Sequence, residues 1–222
     1  MPSTATDFSL RLRLHRKAAR VGGVKCPGGI VEHIEKILEF IVEIEKLKDV
    51  QRKTKPVGLE RFENSAEHSW HVCLTALMLK DYANEEIDIN RVIKMLLIHD
   101  LGEIDAGDTI VYAGQTTEYK AEEEAGISRL LSILPGFMAD EFIELWREFE
   151  AGETADACFA KAIDRVPPLL HNIHGDGHSW RTHGVTKEKV FSVNQRIEAG
   201  SKDLWSVMRG KLEGAVNAGI LK

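Results

Sequence analysis

Residues 92–103 read Val92-Ile93-Lys94-Met95-Leu96-Leu97-Ile98-His99-Asp100-Leu101-Gly102-Glu103. Apart from Lys94, the first seven are apolar, as in a helix buried in a protein core, and the run then ends on an imidazole and a carboxylate. Two such neighbours reach one cation only where the backbone is rigid, and a buried helix supplies that rigidity. Left unpaired, the His99 ring would cost about 1–3 kcal/mol, and a lone ionised Asp100 would cost more. A metal ion satisfies both. Taken alone, the pair reads equally well as a hydrogen-bonded structural doublet.

Two further ligand candidates lie far away in the chain: His68 in Ala66-Glu67-His68-Ser69 and Asp164 in Lys161-Ala162-Ile163-Asp164-Arg165. With His99 and Asp100 they make two nitrogens and two carboxylates, a set that suits a divalent transition metal. His71, three residues after His68, competes for the histidine role from a neighbouring helical face. Arg165 offers Asp164 a salt bridge in place of a metal. The four residues together are harder to dismiss than any one.

The rest of the chain reads as helices. Ile34, Ile37, Leu38, Ile41, Val42, Ile44 and Leu47 recur with helical period over 30–47. Residues 48–64 are polar and interrupted by Pro56 and Gly58, hence a loop; Ser65 is the expected N-cap of a helix reaching about Tyr82. Asp88 or Asn90 opens the helix that ends near Glu103, and 104–116 is a loop around Ala106-Gly107-Asp108. Helices are predicted at about 117–133, 138–151, 155–173, 186–198 and 201–217. Pro167-Pro168 kinks or restarts the third of these, and Gly175-Asp176-Gly177 marks a later loop. No stretch alternates with period two long enough for a strand, so the expected fold is all-α: one helical domain over 30–222 without internal repeats.

At 222 residues and 43% apolar content, the chain buries one core without a second domain. Its net charge of -6 is unevenly spread: residues 1–29 hold six Lys/Arg against Asp7, for +5, which leaves -11 on the remainder. That acidic body argues against a nucleic-acid polymer as partner. A small anionic substrate then needs a local cation, and a bound metal is the obvious one. Residues 1–29 read as a basic, flexible extension, joined at Pro27-Gly28-Gly29, in preference to the transit peptide that their Arg-rich, acid-poor composition also suggests. The isolated Cys26, Cys73 and Cys158 make no disulfide framework and fit a reducing, cytoplasmic setting. The longest apolar run falls far short of the ~20 residues of a membrane span.

The combination Glu67-His68-Ser69, His99-Asp100-Leu101-Gly102-Glu103 through Gly107-Asp108, and a later Asp164 resembles the HD-domain phosphohydrolases. Within them, Arg61-Phe62-Glu63-Asn64-Ser65-Ala66-Glu67-His68-Ser69 and Glu118-Tyr119-Lys120-Ala121-Glu122 are similar to segments of the branch that holds the bacterial 5'-deoxynucleotidases. The likeness covers roughly residues 31–175. It implies an HD-domain helical bundle and His68, His99, Asp100 and Asp164 as ligands of one divalent ion (Mn, Co, Zn or Fe rather than Mg). It also implies Glu103 as the acid that handles the attacking water and Asp108 as the carboxylate that orients substrate or assists proton transfer. Glu103 follows His99 by four residues, a spacing that puts both on one helical face. A homodimer is implied as well.

The implied reaction is hydrolysis of a phosphate monoester, a nucleoside 5'-monophosphate first among them. Where that branch carries Arg-Trp before its first histidine, this chain has Arg52-Lys53, offset by about one position and lacking the Trp. Arg52, Lys53 and Arg61 are therefore the candidate phosphate contacts, and a preference for deoxyribose is not implied. Nucleoside triphosphate or alarmone hydrolysis would want more basic residues around the pocket, and a non-catalytic sensor would not need Glu103. His171, His174 and His178 in the late His171-Asn172-Ile173-His174-Gly175-Asp176-Gly177-His178 stretch read as a second metal site, substrate contacts or a solvated loop.

Overall fold

The computed structural model describes residues 29–114 and 116–222; the expected basic extension, its Cys26 and the Pro27-Gly28 joint lie outside the described residues. The chain winds through α1 (Ile30–Glu43), α2 (Ser65–Leu79), α3 (Ile89–Ile98), α4 (Glu103–Ala106), α5 (Thr117–Leu131) and α6 (Gly136–Ala151). It continues through α7 (Ala155–Asp164), α8 (Val166–His174), α9 (His178–Thr182), α10 (Lys187–Asn194), α11 (Ile197–Gly200) and α12 (Lys202–Asn217). Among the described residues the only extended pairing is one antiparallel bridge, Gln51 with Asn64. The all-α expectation holds.

Side-chain caps set most starts. Asp88 opens α3 by accepting hydrogen bonds from Asn90 N (2.9 Å) and Arg91 N (3.4 Å), and Thr116, Thr154, Thr186 and Ser201 cap α5, α7, α10 and α12 in the same way. At α2 the cap is Asn64 rather than the expected Ser65. Asn64 and Glu67 form a reciprocal capping box, with both hydrogen bonds at 2.9 Å. The helix expected over 155–173 is two helices. Arg165 ends α7, and α8 starts with Pro167 and Pro168 in its first turn, where the missing amide protons cost nothing.

The largest departure concerns the diagnostic stretch itself. The helix does not continue to Glu103: α3 stops at Ile98, and residues 99–102 tighten into a turn with Leu101 N donating to Ile98 O and Glu103 N to Asp100 O. Glu103 opens the short α4 instead. The i+4 argument for Glu103 therefore does not describe its placement. Gly102 permits the turn, since a Cβ there would lie 2.7 Å from the Glu123 carbonyl oxygen of α5.

Helix α3 packs against α2, α6 and α7, and α7 against α3, α6 and α11, so the Asp164 helix lies at the centre. One apolar cluster holds Val72, Met95, Leu96, Ile127, Phe159 and Ile163; a second, with Ala162, Trp180, Leu212 and Trp205, lies on the other side of α7. The apolar stripe of α12 (Trp205, Met208, Leu212, Ala215) is buried in that second cluster. The large apolar side chains left exposed include Ile34, Leu38 and Val42 on α1 and Trp70 and Met78 on α2. No described helix is long and apolar enough to cross a membrane. Cys73 and Cys158 are free thiols.

The approach of α11 to α7 depends on Gly200, where a Cβ would sit 2.7 Å from Ala162 Cβ and closer still to the Cys158 carbonyl oxygen. Backbone on backbone leaves no room to adjust. Gly200→Ala is expected to destabilise the fold by about 1–3 kcal/mol, read as a lower urea midpoint. An unchanged midpoint would show that α11 is free to shift.

Candidate metal centre and catalytic cavity

Local folding brings the four distant ligand candidates to one point. The capping box holds the first turn of α2, which carries His68 fully buried. His99 and Asp100 follow directly on α3, whose Val92, Met95 and Leu96 anchor it in the core. The indole of Trp146 donates to the His99 carbonyl at 3.3 Å, and Phe149 meets the His99 ring edge-on. Asp164 is the last residue of α7. His68 Nε2 lies 2.9 Å from Asp164 Oδ1, and His99 Nε2 lies 3.1 Å from Asp100 Oδ1 and 3.3 Å from Asp164 Oδ1.

The outer ring nitrogens decide what these short distances mean. His99 Nδ1 donates to the Leu96 carbonyl at 2.9 Å, so in the neutral imidazole Nε2 presents a lone pair. That atom is buried and has no hydrogen-bond partner. His68 Nδ1 faces Glu63 Oε2 at 3.4 Å, with both atoms buried. A proton shared there again leaves Nε2 as a donor of electrons. Two nitrogen lone pairs and two carboxylates then converge, and only a cation relieves them. The residues fit a divalent metal: mixed imidazole and carboxylate ligands, each histidine held from behind by a carbonyl or carboxylate. In the absence of metal a proton takes its place. Burial works against charging His99, but Asp100 and Asp164 outweigh it and hold its pKa up to about 9. Burial likewise opposes an Asp164 carboxylate, and the His68 and His99 rings beside it nonetheless keep its pKa well below the usual range.

The Gln51–Asn64 bridge folds the expected loop 48–64 back on itself and delivers Arg52 beside the cluster, with Arg52 N donating to Glu63 O at 2.8 Å. Arg52 Nη1 donates to Asp100 Oδ2 at 2.6 Å and lies 3.9 Å from Glu103 Oε2 and 3.8 Å from Asp108 Oδ1. Burial penalises its charge, yet Asp100, Glu103 and Asp108 hold its pKa above the usual value. Ser65 Oγ donates to Glu103 Oε2 at 2.6 Å. Burial raises the pKa of Glu103 well above the carboxylate range, with Asp100 adding to the effect and Arg52 opposing it. Asp108 is also raised, mainly by burial, against Arg52. Gly107 turns the chain before Asp108 at φ 75°, and Tyr119 Oη donates to the Gly107 carbonyl at 3.0 Å.

His99, Asp100, Glu103, Asp108 and Asp164 all line a cavity of about 430 Å³. Arg52 lines it too, and it also lines a smaller neighbouring cavity of about 90 Å³ that includes Lys53. Arg61 does not: its guanidinium is held by both oxygens of Glu67, at 2.5 and 2.8 Å. Six carboxylates and six basic side chains line the larger cavity, among them Lys161, Arg165, Lys189 and Arg196 from the later helices.

Glu63 is the residue that the sequence reading missed. It makes ion-pair contacts with His68 Nδ1, Arg52 Nε (3.5 Å) and His171 Nδ1 (3.9 Å). Burial works against its charge, and His68 above all offsets that to leave the pKa lowered. Its only signal in the chain is an acid five residues before His68, which no periodicity singles out. His71 and His171 gather around Glu63, not around Asp164. His171, buried, also faces Thr54 Oγ1 at 3.2 Å, and with His174 and His178 it lines a separate cavity of about 300 Å³.

Comparison with known proteins agrees with this geometry. A family model described as an HD domain matches residues 44–205. A 5'-deoxynucleotidase of Dictyostelium discoideum is 33% identical over 141 residues, which cover 60% of this chain and 74% of that protein. One of Bos taurus is 29% identical over 136 residues, 60% of this chain; the match spans only 65% of the bovine protein's length. A crystal structure described as a predicted metal-dependent phosphohydrolase from Magnetospirillum magnetotacticum is 46% identical, with a TM-score of 0.81, and the match covers 86% of this chain and 98% of that one.

Two expectations follow. Glu63→Gln retains an acceptor for His68 but removes the charge, and metal affinity should fall about 10–100-fold in a chelator competition with the fold intact. Equal affinity would leave Glu63 without a part in holding His68. Glu123, buried and facing the cavity, is pushed up from 4.5 to about 7 by burial, with Glu150 and Asp100 contributing. The folded chain therefore holds this proton more tightly than the unfolded one, and stability is lost as pH rises from about 4.5 through 7. In metal-free protein, Glu123→Gln should remove about 2.5 kcal/mol of that loss between pH 5 and 8, measured by denaturation at both pH values. An unaltered pH dependence would contradict it.

Proposed function

The chain belongs to the HD-domain family, and from that premise we propose that it is a metal-dependent phosphomonoester hydrolase acting on (deoxy)nucleoside 5'-monophosphates. The observation that carries the reading is the convergence of His68, His99, Asp100 and Asp164 beside the Glu103 and Asp108 carboxylates in one cavity. The relatives named 5'-deoxynucleotidase support the substrate class.

In this reading His68, His99, Asp100 and Asp164 hold one ion: manganese, cobalt, zinc or iron. When bound, such an ion acidifies water and offsets charge on a phosphoryl oxygen. Glu103, fixed by the Ser65 hydroxyl, orients the attacking water and accepts its proton. Asp108, whose raised pKa suits it to hold a proton, returns one to the departing 5'-oxygen. Arg52 keeps Asp100, Glu103 and Asp108 close together without mutual repulsion expelling one of them. Lys53 stands where an aromatic residue would exclude ribose, so ribo- and deoxyribonucleotides are both admitted. A homodimer, formed through the exposed apolar sides of α1 and α2, and a cytoplasmic location complete the proposal.

The test is phosphate release from ribo- and deoxyribonucleoside mono- and triphosphates by metal-stripped protein with single metals restored. Release from monophosphates of both sugars is expected, with rates within about tenfold of each other. Glu103→Gln should lower kcat by roughly 10²–10⁴ at unchanged metal content. Release from triphosphates alone, or a fully active Glu103→Gln protein, would overturn the reading.

A further inference from the structure

Arg165, between α7 and α8, does not form the salt bridge with Asp164 that their adjacency suggests: among the described residues no carboxylate lies within 4.0 Å of its guanidinium. Its Nη1 is buried and has no hydrogen-bond partner. A guanidinium with a buried, idle donor is costly, and native folds seldom keep one without a use for it. Arg165 lines both the 430 Å³ cavity and the 90 Å³ cavity beside it, so it stands where the two meet, one residue from Asp164.

It is not alone. Arg196, exposed in the turn between α10 and α11, and Lys189, exposed on α10, line the same cavity, and neither has an ion-pair partner among the described residues. Lys161, on α7, is paired with Glu150 at 3.5 Å. Arg52, by contrast, is saturated by carboxylates, and Arg61 is taken by Glu67. Arg165, Arg196 and Lys189 thus line one cavity wall with no ion-pair partner among the described residues, and an anion there would supply it.

We infer that Arg165, with Arg196 and Lys189 at the rim, forms the anion subsite that grips the phosphate of the substrate, a role that Arg52, Lys53 and Arg61 were expected to fill. The inference rests on the hydrolase reading for the identity of the substrate, though not for the existence of the subsite. The planar guanidinium offers two parallel donors to a phosphate, geometry that an ammonium lacks. Arg165 positions the ester next to the ligand cluster because Asp164 precedes it in the chain. Arg196 and Lys189 draw the anion in from solvent.

The experiment is calorimetric titration of inorganic phosphate, and of a nucleoside 5'-monophosphate, into metal-loaded protein. Arg165→Gln is expected to weaken phosphate binding at least tenfold, with metal content and thermal midpoint near wild type. Arg165→Lys should recover part of the loss, and KM should rise more than kcat falls. Affinity within twofold of wild type for Arg165→Gln, or no phosphate binding by wild type, would overturn the inference. Should Arg165→Gln not fold, the exposed pair Arg196→Gln and Lys189→Gln decides: a severalfold loss supports the subsite, no loss refutes it. Arg165-dependent phosphate binding in a protein that hydrolyses no monophosphate would refute the hydrolase reading and keep the subsite.

Discussion

The structure is organised around an electrostatic problem that apolar packing alone cannot solve. His68 and His99 each commit one ring nitrogen to a partner behind the ring, Glu63 and the Leu96 carbonyl, so that both turn a lone pair toward Asp164. Asp100 brings a further carboxylate oxygen to the same spot. In a low-dielectric interior such a gathering is stable only around positive charge. A proton on His99 supplies it when no metal is bound, and a divalent ion would supply it better, because one ion could satisfy all four side chains at once.

That constraint propagates outward. Asp100, Glu103 and Asp108 lie too close together to be ionised without help, and Arg52 is the internal counter-ion that lets them stay. Arg52 in turn is set by the backbone bridge of Gln51 to Asn64, the residue that caps α2 and so fixes His68. One short segment, 50–68, thus positions a ligand, its supporting carboxylate Glu63 and the buried guanidinium. Asp164, the last residue of α7, faces the cation site, and Arg165 just after it lines the cavity with its charge unspent. The contrast between the two arginines is a difference of surroundings, not of chemistry: one is paired with carboxylates, and the other has no ion-pair partner among the described residues.

Much of this was legible in the chain. The all-α class followed from hydrophobic periodicity, and the break at Pro167-Pro168 followed from the missing amide protons. His99, Asp100 and Asp164 stood out as polar residues in apolar company, and His68 through the resemblance of the segment that carries it. What misled was local extrapolation. Glu103 is four residues from His99, but the helix ends between them, since Gly102 must pass within contact of the α5 backbone. Ser65 has the chemistry of a cap and is instead the donor to Glu103, while Asn64 caps.

Sequence alone therefore determined which residue types were set aside for chemistry and which segments would be helical, because both depend on near neighbours along the chain. Tertiary structure decided the rest. Whether Arg165 pairs with Asp164 or faces a cavity, whether Arg52 is free or saturated, and which acid stands behind His68 all depend on helices that meet only after folding. Ion pairing and desolvation act through space over a few ångströms, and those distances join residues up to about a hundred positions apart, as His68 and Asp164 show.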